Sequence, residues 1–598
     1  MDDAHACRLA AAIGAAALLA TAPVMAAPDA PSWLQVCAAD TRGNGAPAPP
    51  VLRVRAGPLP DGCRGIALPV APGQIAAVRP ATPSDRVTDA RTILIYRPER
   101  ADQAGTPALG AVETVLPPAA ATHAPAARTA APLHVNLLDR LQLRPYGVEE
   151  RVHAQVADGR LTVQCRGGGK PAGVLLSAPW AMPRAALVLA AQYQADGVFS
   201  VALADDAASA DERALDLGRL GSGATHAVLP LPASGWDRAG WRHIALTCPG
   251  HAATLAIGSL QLQPQPSTGP VRARATWVWR AKDWIGAPAA VLAQARRHGM
   301  RSLFITVPTQ GAAISHPARL AAFARQASRA GIALWAVEGD PHMALPAHHA
   351  ATADRVRAVA AYNRGVEPAA RLQGVQFDIE HYLIDGYGMA SERHDLGYAQ
   401  LLAGLKAAAG GLPLDFVVPF WWHAKDTLLA ALAQAASIVT VMDYRTDEEQ
   451  IRDFATPFLD WGVTHGVGVR IALESGAIAP ERQHRYVRAN GAPAELWAIT
   501  LSPEQTGLTA PFDALVLLKQ PQAGLPGTGF RYSGNRLLDG SATTFQRQPA
   551  RLQVLLPQLE RDFSAWSSFA GMAVHEPGDA LPATEPAATP DRPPSGAR

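Results

Sequence analysis

The sequence predicts a multi-domain protein in which a C-terminal (β/α)8 TIM barrel follows a jelly-roll-like β-sandwich and a small N-terminal β-rich region. The chain has 598 residues, too many for a single hydrophobic core. From about residue 272, eight strand-like runs alternate with Ala- and Leu-rich helical segments. The fourth run ends in Asp378 and Glu380, two acids where a buried parallel strand is normally apolar.

The barrel is predicted over residues 272–577. Its eight strands are expected at 275–279, 301–307, 332–337, 372–380, 414–420, 437–442, 467–473 and 569–574. Residues 478–550 then form a long excursion after the seventh strand. A doubly wound open sheet is the alternative fold, but no Gly-rich phosphate-binding loop follows the first strand, which argues against it.

Residues 133–268 contain short strands at regular spacing, which is typical of a β-sandwich. This region resembles the carbohydrate-binding sandwiches attached to secreted glycosidases. Trp180, Trp236 and Trp241 could stack on sugar rings there, although packing in the core is the reading that we favour.

Short strand-like runs, broken by Pro and Gly, predict a β-rich domain at residues 28–115. The Ala- and Pro-rich stretch 116–132 is expected to be a linker, and the polar tail 578–598 to be disordered.

Residues 1–26 have the pattern of a secretory signal peptide, with a short apolar run and small residues before the cleavage position. We therefore expect an exported protein, periplasmic or secreted, with no integral membrane segment after cleavage. Four cysteines remain after the signal, an even number that fits two disulfides. We prefer the pairs within domains, Cys37 with Cys63 and Cys165 with Cys248.

The formal net charge is +2, from 53 basic and 51 acidic residues, which indicates no nucleic-acid partner. We expect a monomer without a cofactor or a bound metal. His342, His348 and His349 lie in one loop but lack the H-E-x-x-H spacing of a zinc hydrolase.

Polar and aromatic side chains concentrate at the predicted strand ends, where barrel active sites lie. Carboxylates move protons during glycoside cleavage, and indole rings stack on sugars, so this composition is typical of a sugar site. The candidate residues are Trp277, Trp279, Glu338, Gln376, Asp378, Glu380, Trp421, Trp422, His423, Asp443, Tyr444, Glu474, His575 and Glu576.

Asp378 and Glu380 carry the strongest signal of this set. Period-2 spacing places them with Gln376 on one face of their strand. Two inward-facing acids cost folding energy unless they are paired or solvated. By contrast, a single acid after a strand, such as Glu474, is more often a helix cap.

Residues 373–380 resemble the DGxDxDxE signature of family 18 glycoside hydrolases, the chitinase-like barrels. The resemblance implies that Glu380 is the catalytic acid and that Asp378 orients the acetamido group of the substrate. Residues 441–444 resemble the sixth-strand M-x-Y-D segment, which implies that Tyr444 helps to hold that group.

The chain departs from the family pattern in several places. The Ser-x-Gly-Gly expected near the second strand is absent, since residues 306–309 are Thr-Val-Pro-Thr, and four single residues differ. Gln373 and Gln376 replace the first two aspartates, Arg445 follows Tyr444 in place of Asp, and His575 replaces the eighth-strand Trp. We therefore expect a divergent relative that acts on a glycan other than chitin.

Glycoside hydrolysis is the leading hypothesis, with Glu380 as the general acid and with Asp378 and Tyr444 assisting. If the substrate lacks an acetamido group, Glu474 is the candidate second carboxylate. The alternative is a non-catalytic polysaccharide-binding protein with a degenerate barrel.

Overall fold

The computed structural model describes most of the chain from residue 130 to residue 578, and short strands before it. The described ranges are 32–37, 51–56, 63–71, 74–81, 92–98, 112–115, 130–177, 180–204, 214–231, 243–269, 271–384, 387–506 and 512–578. The predicted signal peptide, most of the predicted linker and almost all of the predicted tail lie outside these ranges, so these expectations remain predictions.

Eight parallel strands form a closed barrel, in the positions that the alternating pattern predicts. Their outward side chains belong to one hydrophobic cluster with the surrounding helices, which explains why each strand reads as an apolar run. The strands are Arg274–Val278, Met300–Thr306, Ala333–Glu338, Val375–Phe377, Leu414–Pro419, Ile438–Met442, Gly468–Glu474 and Phe569–His575.

At least one helix lies between each pair of consecutive barrel strands. Local signals set several helix ends: the Asp447 side chain accepts a hydrogen bond from Gln450 N at the start of one helix, and proline opens three others. The helices are Ala281–Gly286, Pro288–Arg297, Pro317–Arg329, His349–Gly365, Tyr387–Ala409, Asp426–Ala435, Glu448–His465 and Pro549–Phe563.

Residues 142–264 form two five-stranded antiparallel sheets, as a β-sandwich requires. The first sheet contains Gln142–Gly147, Ala172–Ser177, His243–Thr247, Phe199–Ala204 and Ala214–Leu220. The second contains Val152–Ala157, Arg160–Cys165, Ala253–Pro264, Leu187–Ala195 and His226–Leu231.

A disulfide joins Cys165 at the end of a second-sheet strand to Cys248 just after a first-sheet strand, which confirms that predicted pair. Trp180 is buried in the hydrophobic core, in agreement with the packing role, whereas Trp236 and Trp241 lie outside the described residues.

The sandwich packs against two barrel helices. The backbone N–H of Arg184 donates to Asp460 of helix Glu448–His465 at 2.6 Å. His134 lies 3.2 Å from the carboxylate of Asp562 in helix Pro549–Phe563. The buried side chains of the sandwich and of the barrel shell therefore form one continuous cluster.

The excursion after the seventh strand forms a seven-stranded antiparallel sheet together with strands from the N-terminal region. Its order is Ile75–Ala81, Phe512–Gln522, Ala494–Leu501, Thr528–Leu538, Glu481–Arg488, Thr92–Pro98 and Val112–Val115. Two segments that the sequence pattern presents separately are thus parts of one sheet. The short helix Pro503–Thr506 also belongs to the excursion.

A three-stranded sheet packs beside this larger sheet. Its order is Val51–Ala56, Ser32–Cys37 and Cys63–Leu68. The buried Leu68 and Val70 share a small core with Trp497 and Ile499 of the excursion. The backbones of Cys37 and Cys63 are directly opposite in neighbouring strands. Their side chains are outside what the structure describes, so this disulfide stays a prediction.

The helices of the described ranges lack membrane-spanning character. None of them combines the length and the apolarity that crossing a bilayer requires.

Candidate active site at the carboxyl ends of the barrel strands

The fourth strand places its two residue sets as the period-2 pattern predicts. Val375, Phe377 and Ile379 are buried in the cluster that joins the strands to the outer helices. Gln376 has the opposite orientation and lies inside the barrel, fully removed from solvent. Asp378 and Glu380 continue along the same face, just beyond the strand end.

A buried polar network fills the barrel beneath these acids. Gln376 accepts a hydrogen bond from Trp277 Nε1 at 2.6 Å and donates to Asp415 Oδ2 at 3.1 Å. Arg470 pairs with the same carboxylate, and Thr440 Oγ1 donates to it at 2.9 Å. Gln376 and Trp277 are therefore engaged by the barrel interior, which leaves little of either group for a ligand.

Asp378 and Glu380 form an electrostatically coupled pair at the mouth. Burial and the nearby Glu380 raise the pKa of Asp378 well above its ordinary value, while His575 opposes the rise. Burial also raises the pKa of Glu380, against the opposing influence of Tyr382 and His575. Asp378 Oδ1 is buried and has no hydrogen-bond partner among the described residues. The pair therefore holds at least one proton more readily than isolated carboxylates would.

The neighbouring third strand allows this close arrangement. The backbone N–H of Asp378 donates to Glu338 O at 2.8 Å. A Cβ at Gly339 would lie 2.8 Å from the carbonyl oxygen of Asp378, so only glycine permits this approach of the two backbones.

Tyr382 is a further site residue, which our sequence reasoning missed. Its hydroxyl donates a hydrogen bond to Oε1 of Glu380. Its ring makes edge contacts with Trp421 at 5.3 Å and with Trp422 at 6.3 Å between centroids. Tyr382 lies in a short 3-10 turn, His381–Leu383, beyond the end of the strand, so the alternation of the strand could not assign its face.

His575 and Glu474 form a second ionisable pair, on the seventh and eighth strands. His575 Nδ1 lies 2.8 Å from Glu474 Oε2, and Trp279 Nε1 donates to His575 Nε2 at 3.0 Å. The Trp279 bond requires Nε2 to be the acceptor, so Nδ1 carries the proton of a neutral ring. Burial alone would lower the pKa of His575, but Glu474 and the nearby Glu576 and Asp378 raise it overall.

The second oxygen of Glu474 is also occupied. Oε1 accepts a hydrogen bond from the backbone N–H of Gly476 at 2.6 Å. Glu474 is 2% exposed, so it lies behind His575 and is poorly placed to contact a substrate directly.

The aromatic residues divide into an accessible group and a buried group. Trp421 is 45% exposed and stands beside Tyr382 at the mouth, where a sugar ring could stack on it. Trp422 is 0% exposed and packs against His381 and Tyr398, so no ligand reaches it in this arrangement. The difference follows from their adjacent positions on a short 3-10 turn, Phe420–Ala424.

Tyr444 lies partly buried at the mouth. It packs beside Trp279 on the apolar cluster inside the barrel, and it is close enough to Tyr382 to raise the pKa of that phenol further. Burial is the main cause of the Tyr382 shift, followed by Glu380. The structure therefore brings Asp378, Glu380 and Tyr444 to one region, as the sequence predicts.

Three other candidates lie at the edge of this region or outside it. Glu338 pairs with Arg355, yet its burial raises its pKa to about 7. His423 is exposed, with Nδ1 3.0 Å from the carbonyl oxygen of Phe420. Glu576 is exposed beside Gly476.

Asp443 is enclosed by the protein and is not accessible to a sugar. It is 0% exposed, and both of its carboxylate oxygens lack a hydrogen-bond partner among the described residues. Burial raises its pKa well above the ordinary value, and the nearby Asp453 of helix Glu448–His465 adds to the rise. Its side chain is thus enclosed near that helix rather than open to the mouth.

The arrangement of these side chains does not suit metal ligation. Within the ranges that the structure describes, no group of three or more His, Cys, Asp or Glu side chains is arranged to hold a metal ion. The chemistry available from the described side chains of this site is that of carboxylates, a histidine and tyrosines.

No protein-family model and no curated protein matches the chain. Among solved structures, it is similar to the CBM22-1–GH10 modules of endo-1,4-beta-D-xylanase 10B from Clostridium thermocellum, complexed with xylohexaose. That match has 9% identity over 74% of this chain and 89% of that chain, with a TM-score of 0.26.

A second similarity is to a family 29 carbohydrate-binding module, a mutant of CBM29-2 complexed with mannohexaose. It has 11% identity over 22% of this chain and 89% of that chain, with a TM-score of 0.18. Both of these neighbours are carbohydrate-active proteins, but at these TM-scores the similarities carry no argument about this chain.

Proposed function

We propose that the protein is a glycoside hydrolase that cleaves a polysaccharide or a glycoconjugate, with Glu380 as the general acid. The observation that carries the proposal is the coupled Asp378–Glu380 pair at the carboxyl ends of the strands in a closed parallel barrel. A carboxyl group with a raised pKa remains protonated closer to neutral pH, which is what a general acid requires.

Glu380 would transfer its proton to the glycosidic oxygen as the bond to the anomeric carbon breaks. Because Tyr382 occupies Oε1, the other oxygen is the one available to carry that proton. His575, which lowers the pKa of both acids, would set how strongly the pair holds its proton.

The nucleophile depends on the substrate. If the sugar carries a 2-acetamido group, its oxygen would attack the anomeric carbon, with Asp378 and Tyr444 holding the group in place. The unpartnered Oδ1 of Asp378 is suited to that contact. If the sugar lacks the group, Glu474 is the remaining carboxylate, but His575 and Gly476 already occupy both of its oxygens. The geometry therefore favours the substrate-assisted route.

The test compares Glu380→Gln with the parent enzyme on a panel of polysaccharides. Loss of general-acid catalysis lowers turnover by about 10²–10⁴-fold, whereas glycan binding persists. The matched control is Glu150→Gln, which removes one exposed carboxylate of the sandwich. If Glu380→Gln retained full turnover, the assignment of Glu380 would be wrong.

A non-catalytic polysaccharide-binding protein is the second candidate. One observation favours it: Gln376 stands where the family-18 signature has an aspartate, and its amide is fully engaged with Trp277 and Asp415. A protein of this kind would retain glycans without releasing sugars, and Glu380→Gln would leave its behaviour unchanged.

We further propose that the barrel is a (β/α)8 catalytic module related to family 18, and that the sandwich binds the polymer. In the same proposal, residues 1–26 direct export to the periplasm or the medium, and the mature protein is a monomer. N-terminal sequencing of the purified protein tests cleavage after residue 26.

A further inference from the structure

One face of the seven-stranded sheet carries a concentration of positive charge. The two neighbouring strands Glu481–Arg488 and Thr528–Leu538 contain a single acidic residue, Glu481. Their basic residues include five arginines: Arg482, Arg485, Arg488, Arg531 and Arg536. The whole chain, by contrast, is almost balanced in charge.

Strand register places three of these arginines on the same face. Arg536 is opposite Gln483, Arg485 is opposite Gly534, and Arg531 is opposite Val487. Residues directly opposite one another share a face, so Arg485 is the diagonal neighbour of Arg536 on one side. On the other side the register shifts by one residue at Ser533, and Arg531 follows beyond this irregularity, opposite Val487 on the face of Arg485. Diagonal neighbours are roughly 7–8 Å apart, close enough for one ligand to contact more than one of them.

Gly534 leaves an opening between the three arginines. It has no side chain, and a Cβ built there would meet no atom within 4 Å. Arg485, Arg531 and Arg536 are all exposed. The guanidinium of Arg536 is oriented by donation from Nε to Gln483 Oε1 at 2.8 Å. The arginine face is the set of Arg485, Arg531 and Arg536 around Gly534.

The arginine face has no ion-pair partner in the part of the chain that the structure describes, although the Glu495 carboxylate of the adjacent strand accepts a hydrogen bond from Tyr532 N, next to Arg531, at 2.8 Å. No carboxylate there lies within ion-pair distance of Arg485, Arg531 or Arg536. The three guanidinium groups are therefore available to an external anion. Arginine forks pair with carboxylates through two parallel hydrogen bonds.

The sheet is attached at the same end of the barrel as the candidate site. The excursion leaves the seventh strand directly after Glu474, and on its return Phe545 N donates to Glu474 O at 2.9 Å. The seven-stranded sheet is therefore connected to the barrel at the end where Asp378 and Glu380 lie.

We propose that the arginine face binds a polysaccharide bearing carboxylate groups, so that the substrate class is a uronic-acid-containing polymer. The inference rests on the proposed function for the choice of a polysaccharide as the partner. Charge complementarity then selects the carboxylate, because neutral sugars offer no anion to the three guanidinium groups.

The experiment measures binding of the full-length protein to polygalacturonate and to its fully methyl-esterified form, which has the same backbone without the charge. The test variant is Arg485→Gln/Arg531→Gln/Arg536→Gln. Its control, Arg319→Gln/Arg329→Gln/Arg561→Gln, removes the same charge from exposed positions on barrel helices. Melting temperature and circular dichroism check that each variant is folded.

We expect binding to polygalacturonate to be at least about tenfold tighter than to the ester, and to weaken as salt rises. The test variant loses about tenfold or more in affinity, and the control variant retains it. Replacement of the same three arginines by lysine gives an intermediate loss, because the charge remains while the two-pronged pairing is lost.

Equal binding to the two polymers, or an equal loss in the test and control variants, overturns the proposal. Binding and hydrolysis fail separately: tight, arginine-dependent binding without sugar release leaves the arginine face intact and refutes the hydrolase assignment. Hydrolysis of neutral polymers alone supports the hydrolase assignment and refutes the binding role of the arginine face.

Discussion

Replacement of Tyr382 by Phe tests how the candidate general acid is tuned. Tyr382 donates to Oε1 of Glu380, and this bond lowers the pKa of an acid that burial has raised. A hydrogen bond to a charged group contributes about 1.5–3 kcal/mol. Loss of the bond removes this stabilisation of the charged form, so the pKa of Glu380 rises further.

The direction of the shift in the pH profile follows from the role of Glu380 as general acid. A general acid must be protonated, so activity falls as pH rises through its pKa. With that pKa raised further, Tyr382→Phe retains activity to higher pH, and the alkaline limb of the pH profile for kcat moves to higher pH. The apparent pKa belongs to the coupled pair with Asp378, so the limb of the profile reports the pair and not one residue alone.

Two measurements check this result. The first is the pH dependence of kcat on a polysaccharide that the parent enzyme cleaves. The second is an infrared titration of the protonated carboxyl band, assigned by its loss in Glu380→Gln. Tyr398→Phe is the control, because the hydroxyl of Tyr398 is buried without a hydrogen-bond partner among the described residues. A limb that stays in place, or moves to lower pH, refutes the tuning role of Tyr382.

Two further predictions concern stability. Asp415→Asn leaves Arg470 buried without its counter-charge, which lowers the free energy of unfolding by about 3–5 kcal/mol. The double variant Asp415→Asn/Arg470→Met recovers much of this loss, because it removes the unpaired charge. Urea unfolding of both variants measures the difference, and equal stability of the single and double variants would contradict the prediction. The variant Cys165→Ser/Cys248→Ser loses the disulfide that closes a loop of 83 residues, which lowers the free energy of unfolding by about 4–5 kcal/mol. We expect a lower melting temperature, and an unchanged one would show that the bond is not formed.

The barrel was predictable because its signals are local. The strands are short apolar runs, and several of the helices have their own start signals. The acids Asp378 and Glu380 stood out for the same reason, since period-2 spacing fixes their face once the strand is recognised. Tyr382 followed the same parity, but it lies beyond the strand in a 3-10 turn, where parity no longer assigns a face.

The interior network was harder to anticipate. Asp415 and Arg470 each interrupt an apolar strand, and the sequence alone does not say that the two charges meet. Their pairing depends on the shear of the closed barrel, which brings side chains of different strands into the same layer.

The seven-stranded sheet could not be derived from sequence at all. Nothing in residues 92–98 specifies that they pair with residues 481–488, because strand register is set by contacts that local pattern does not encode. The same limit hid the arginine face, since its members come together only through the pairing of Glu481–Arg488 with Thr528–Leu538.

That pairing also constrains the order in which the chain can fold. Ribosomes deliver the N-terminus first, so the strand Thr92–Pro98 exists long before its partner Glu481–Arg488 has been made. One edge of this strand can pair early with Val112–Val115, but the edge that pairs with Glu481–Arg488 stays open until seven of the eight barrel strands have been synthesised. Contacts of such high sequence separation form slowly, and unpaired strands promote aggregation meanwhile. A barrel expressed without its N-terminal strands would leave the edge of Glu481–Arg488 open to the same hazard.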